Sequence, residues 1–209
     1  MLTRGIPIEQ IIILIPVLLF SLCFHEFSHA YAAFKLGDNT SERLGRLNLS
    51  PLSHLDPWGT LMLLFVGFGW AKPVPVNPFN LKNPKKDLMI IAAAGPISNL
   101  FLAFIASMIL RFINHSIIQS NNEVFFIFIF INITLAIFNL IPIRPLDGSQ
   151  ILSGFLPQNN NIVKTIEHYG PNILIGLIIF GIVTNIPIIF TIMSPFINFF
   201  IYLFLGIHA

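Results

Sequence analysis

Residues 11–34 read IIILIPVLLFSLCFHEFSHAYAAF. The run is oily enough for a bilayer, and it passes without a break into His25, Glu26 and His29. A helical span needs about 20 predominantly apolar residues, and residues 8–35 supply them as the first expected span. An acidic group at mid-membrane costs about 2.5–3.5 kcal/mol on insertion scales, so ionisable residues at that depth mark function. His25-Glu26-x-x-His29 is an H-E-x-x-H pattern. On a helix, positions i and i+4 share a face with Cβ atoms about 6 Å apart. Two imidazoles placed that way can grip one Zn2+. Glu26, next to the first of them, can serve as the general base of a zinc peptidase. Cys23 is turned by about 200° from His25 around the helix and is not counted as a ligand.

The rest of the chain fits a membrane setting. Of its 209 residues, 55% are hydrophobic and 10% charged, with 22 phenylalanines. Soluble domains usually carry about a quarter charged residues. The expected fold is therefore an all-α polytopic membrane protein in contact with the lipid bilayer. It should have about five transmembrane helices (four to six), near residues 8–35, 88–112, 124–143, 173–184 and 188–207, in one membrane-embedded domain over residues 1–209. Only Asn185, Ile186 and Pro187 separate the last two, so they are either two spans or one span with an interfacial helix. The apolar N-terminal run lacks an A-x-A-like site and continues into the His/Glu cluster, so it is not read as a cleaved signal. A net charge of +2 with no basic stripe argues against nucleic acid. A single cysteine excludes an internal disulfide and cysteine-rich metal sites.

Between the first two spans, residues 59–80 read GTLMLLFVGFGWAKPVPVNPFN. The apolar part, residues 61–70, is too short for a straightforward helical span. The prolines of KPVPVNP impose extended backbone. Extended backbone at membrane depth must be covered by protein or line a cavity. A re-entrant or extended hairpin over about residues 59–80 is the expectation.

Zinc with an open position for water needs a third protein ligand. Asp147, just past the third span in FNLIPIRPLDGSQIL, is one candidate, although D-G also favours an ordinary turn. His54 and Asp56 in SHLDPWG are others. Here the sequence resembles the site-2 protease family of intramembrane zinc metalloproteases (peptidase family M50). HEFSH, GWAKPVPVNP, AGPISN and NLIPIRPLDG carry the likeness, which runs from about residue 8 to residue 205. The resemblance implies one Zn2+ per chain held by His25, His29 and Asp147, with Glu26 as base. It implies that Asn139 lies near the active site, holding substrate backbone or oxyanion, and that Asn99 supports the site. The form implied is minimal, without a PDZ or CBS domain and with no span ahead of the H-E-x-x-H helix. The substrates implied are membrane-anchored regulators and signal-peptide remnants. Hydrolysis would fall within or near their transmembrane segments.

Topology gives a separate check. His25 and His29 lie late in the first span and Asp147 just after the third. They can meet only if those spans run the same way, which requires that residues 61–70 not cross. The same topology places nine basic residues on the Asp147 side (Lys35, Arg43, Arg46, Lys72, Lys82, Lys85, Lys86, Arg144 and Lys164) against Arg4 and Arg111 on the other. By the positive-inside rule, the active site lies toward the cytoplasmic face and the N-terminus outside.

Other features have plainer readings. Gly95, Pro96 and Asn99 suit helix packing by small residues and a polar hydrogen bond. Pro142 and Pro145 should unwind the end of the third span and so aim Asp147 inward. Pro142 and Gly148, with His54, Asp56 and Asn99, are candidates for supporting the site or touching substrate. His115, His168 and His208 read as surface histidines, and the FFIFIF run, residues 125–130, as a lipid or core face. Two competing functions remain, a metal-binding transporter and a catalytically inactive membrane scaffold. A transporter should tolerate Glu26→Gln; a protease should not.

Overall fold

The structure, a computed structural model, describes residues 8–59, 62, 69–112, 122–157 and 160–206. Six principal helices follow one another: α1 (Ile8–Lys35), α2 (Pro84–Phe112), α3 (Asn122–Asn139), α4 (Asp147–Phe155), α5 (Asn161–Thr184) and α6 (Ile188–Leu205). Four of them, α1, α2, α5 and α6, are long and apolar enough to cross a membrane, and α3 is a shorter apolar helix. The chain is an all-α polytopic membrane protein.

The helix ends are set by chemistry that apolarity does not report. α2 starts at Pro84 because proline suits the first turn and Asp87 Oδ2 accepts the Asn83 N–H at 2.8 Å. α3 stops at Asn139, short of residue 143, since Pro142 cannot continue the hydrogen-bond ladder and disfavours helical geometry at Ile141. α5 begins at Asn161, where the Asn160 side chain accepts from Ile162 N at 2.8 Å. The apolar stretch 173–184 is thus the second half of a 24-residue helix. Asn185, in the left-handed region at φ 56°, then separates α5 from α6.

Polar contacts between helices fix the directions. His29 Nδ1 meets Ile91 O and His25 Nδ1 meets Asn99 Oδ1, so α1 and α2 are antiparallel. Asn132 reaches Ser21, and Asp147 reaches His25 and His29, so α1 and α3 run the same way, as the ligand argument required. The core joins α2, α3 and α6 through Ala103, Ala106, Ile129, Ile133, Ile197 and Ile201. Of the phenylalanine run, Phe125, Phe128 and Phe130 pack against this core while Phe126 is exposed.

The chain between α1 and α2 leaves and returns on one side. Most of the apolar part of the expected re-entrant segment, residues 60–61 and 63–68, lies outside the described residues. Its flanks meet: a Cβ on Gly59 would stand 3.0 Å from the Trp70 carbonyl carbon. Leu55 and Ala71 form an isolated antiparallel bridge, and Lys72 N donates to His54 O at 2.8 Å. Residues 71–77 then run extended as a strap across the end of α1. Pro73 and Pro75 have no N–H, so few backbone donors remain, and side chains from residues 26–46 take up both sides of the strap. Arg46 Nη2 donates to Lys72 O (2.7 Å), Ser41 Oγ to Pro75 O (2.6 Å), Asn77 N to Asp38 Oδ2 (2.7 Å) and Val74 N to Glu26 Oε2 (3.2 Å). Asp38 also accepts from Thr40 and Asn80. Burial works to raise its pKa, but these hydrogen bonds outweigh burial and hold the carboxyl below its ordinary value.

Candidate metal centre

Three side chains converge where α1, α2 and the start of α4 meet. His25 Nε2 and His29 Nε2 stand 3.0 Å apart, with Asp147 Oδ2 at 3.2 and 3.3 Å from them. The rings lie edge to face at an interplanar angle of 84°. His25 and His29 are buried. The Nδ1 of His29 faces the backbone carbonyl of Ile91 at 2.7 Å. A carbonyl only accepts, so that nitrogen carries the proton. The Nδ1 of His25 faces Asn99 Oδ1 at 2.6 Å with the same consequence. In the neutral imidazoles both Nε2 atoms then present lone pairs, and they face a carboxylate oxygen.

Such a triangle of acceptors repels itself unless a cation sits among them. Asp147 Oδ2 is buried with no hydrogen-bond partner. Donors about 2.0–2.1 Å from a tetrahedral Zn2+ stand about 3.3–3.4 Å from one another, close to the spacings here. Among the described residues, His25, His29 and Asp147 form the group able to hold a metal ion. The donor set fits zinc.

The local sequence makes the meeting possible. Gly95 of α2 lies beneath the rings: a Cβ there would stand 2.6 Å from His25 Nε2 and would collide with His29 Nε2. Gly148 lets α4 begin against the end of α3, since a Cβ there would come 2.6 Å from Ile141 O and overlap Leu140 O. Asp147-Gly148 is the first turn of α4, and not the end of a loop. Pro142 is exposed and shapes the backbone of residues 140–146 without lining the site.

The centre opens into a cavity of about 500 Å³. Glu26, Asn139, Trp70, Val74, Arg144 and Gln150 are among its lining residues. Glu26 is half-buried on its wall. Asn139, the last residue of α3, donates one amide hydrogen to Leu135 O at 2.9 Å. Arg144 pairs with Glu167 at 3.3 Å. His54 and Asp56 do not line this cavity. His54 is buried with Nε2 against Asn48 O at 2.7 Å, and Asp56 Oδ1 accepts from Gly59 N at 2.7 Å, so both organise the loop before the strap. His168 is exposed on α5, whereas His115 and His208 lie outside the described residues.

The sequence reading passed over Asn132, although a lone asparagine inside FFIFIFINITLAIF is the kind of polar residue that membrane depth makes costly. It read Gly95 as a small residue for helix packing; Gly95 does pack α2 against α1, and the side chains it packs against are the two imidazoles.

A buried two-histidine, one-carboxylate centre with an adjacent glutamate, inside a helical membrane bundle, defines a membrane metallopeptidase. Residues 13–123 and 107–181 match the model of peptidase family M50. YwhC of Bacillus subtilis, a zinc metalloprotease by name, is 39% identical over 172 residues, 78% of this chain and 78% of its own. Rip2 of Mycolicibacterium smegmatis, likewise a zinc metalloprotease by name, is 31% identical over 77% of this chain and 64% of its own. Zinc metalloprotease MJ0392 of Methanocaldococcus jannaschii is 25% identical over 88% of this chain and 47% of its own. No solved structure matches the chain significantly. The chain belongs to peptidase family M50 and is a metalloprotease.

Proposed function

We propose that this protein hydrolyses peptide bonds within or beside the transmembrane segments of membrane-anchored proteins, using one zinc ion per chain held by His25, His29 and Asp147. The observation that carries the reading is Asp147 Oδ2, buried without a hydrogen-bond partner and facing two imidazole Nε2 atoms at 3.2 and 3.3 Å, in a cavity lined by the apolar helices and the strap. When bound there, zinc supplies an acidified water and polarises the scissile carbonyl. Glu26 takes the proton of the attacking water on a carboxylate oxygen and delivers it to the leaving amine. Asn139 offers its remaining amide hydrogen to the substrate backbone. The Asn99 amide and the Ile91 carbonyl keep each ligand's Nδ1 protonated and its ring fixed. The nine-to-two distribution of basic residues supports a centre toward the cytoplasmic face, with the N-terminus outside. A helical substrate hides its carbonyls in i to i+4 bonds and must unwind first. The extended strap, residues 71–77, borders the cavity through Ala71, Pro73, Val74 and Val76, and the unwound strand would lie along it.

Cleavage of a tagged single-span substrate by the purified protein in vesicles, with the cut bond located by mass spectrometry, tests this. The expected cut lies inside or at the cytoplasmic end of the span, and helix-weakening residues there raise the rate. Cuts confined to extramembrane segments, at the outer end of the span, or made equally fast in a rigid polyleucine span would contradict it.

A further inference from the structure

On the bundle side of the histidines, three polar side chains from three helices are completely buried. Ser21 of α1, Asn99 of α2 and Asn132 of α3 are each 0% exposed. Asn132 Nδ2 donates to the Phe128 carbonyl and to Ser21 Oγ, both at 2.9 Å. Asn132 Oδ1 accepts from Asn99 Nδ2 at 2.9 Å, and the same nitrogen donates to the Ser21 carbonyl at 3.2 Å. Asn99 Oδ1 is the atom left to face His25 Nδ1.

The order of this chain is determined. Backbone carbonyls only accept, so those of Phe128 and Ser21 dictate which end of each amide is nitrogen. Turning the Asn99 amide over would set its oxygen against the Ser21 carbonyl and against Asn132 Oδ1. It would also point an NH2 at His25 Nδ1 and move that ring's proton to Nε2, the nitrogen facing Asp147. Which nitrogen of a histidine is free is set by the hydrogen bond on the other.

We propose that Asn132, seated on Phe128 O and Ser21 Oγ, is a positioning residue that acts through Asn99 to keep the His25 Nε2 lone pair available to the metal. This rests on reading His25 as a ligand. Outer hydrogen-bond partners of ligating histidines typically change metal affinity by roughly 10- to 100-fold.

The test is metal binding by the purified full chain, read by competition with a chelator and by the visible spectrum of bound Co2+. Asn132→Leu, similar in size but without the amide, should bind roughly 10- to 100-fold more weakly with an altered cobalt spectrum. Ile133→Ala, at the buried neighbour packed in the α2–α3–α6 core, should lower the unfolding temperature and leave binding unchanged. Wild-type affinity and spectrum in Asn132→Leu would overturn the proposal, and so would an equal loss in Ile133→Ala. If Asn132→Leu does not fold, Ser21→Ala carries the test: weaker binding is expected and unchanged binding overturns it. His25→Ala separates the two levels. Retained metal in His25→Ala removes the ligand reading itself; lost metal there with wild-type binding in Asn132→Leu removes only the role of Asn132.

Discussion

Glu26→Gln is expected to lower peptide cleavage by about 10²–10⁴-fold, the range typical of a lost general acid–base, while the protein keeps its metal. The reasoning separates Glu26 from the ligands. His25, His29 and Asp147 offer three donor atoms to one point, and Glu26 is not among them. Its carboxylate lies on the cavity wall, where one oxygen accepts the Val74 N–H at 3.2 Å. Glutamine is close to isosteric and still offers an amide oxygen to Val74, so the strap should stay in place and the loss should fall on proton transfer alone. The measurement is the cleavage rate of wild type and variant beside the metal content of each. Unchanged cleavage would mean that Glu26 is not the base. Loss of metal together with activity would mean that Glu26 helps hold the ion.

Gly95→Val is expected to weaken metal binding by roughly 100-fold or more, beyond the usual effect of perturbing one ligand's support, because it displaces two ligands together. The Cβ of any other residue would stand 2.6 Å from His25 Nε2 and overlap His29 Nε2. Real Cβ contacts essentially never fall under 3.0 Å, so the rings must move. They cannot move together and keep their other bonds: His25 is tied to Asn99 Oδ1 at 2.6 Å and His29 to Ile91 O at 2.7 Å. Valine adds two methyl groups to the clash, and its branched Cβ restricts the χ1 rotations that could turn them away. Gly95→Ala should show the same effect in smaller measure. Chelator competition on the purified variants measures it, and wild-type affinity in Gly95→Ala would refute the packing described here.

Much of this site was legible in the sequence because its chemistry is carried by unusual residue types in oily surroundings. His25, Glu26 and His29 are costly at their depth, and their spacing matches a helical face. Asp147 stood beside His54 and Asp56 as a candidate third ligand; the family resemblance singled it out, and parallel first and third spans allowed it to meet the histidines. The helix boundaries were less legible. Apolarity marks membrane depth, whereas α5 begins twelve residues before its apolar half because Asn160 caps it. α4, nine residues long and amphipathic, left no apolar signal. Asn132 and Gly95 act through partners on other helices, far away in sequence, which local pattern does not encode. His54 and Asp56 are residue types that suit a metal site, yet the structure gives them backbone partners in a loop.

The most direct test of the metal centre and its chemistry is cleavage of a tagged single-span substrate by protein stripped of metal and titrated back with zinc. The stripped protein should cut nothing, and the rate should rise with added zinc and level off at one ion per chain. Full cleavage by metal-free protein would contradict the account, as would a site filled with one zinc per chain that leaves the peptide bonds of every tested span intact.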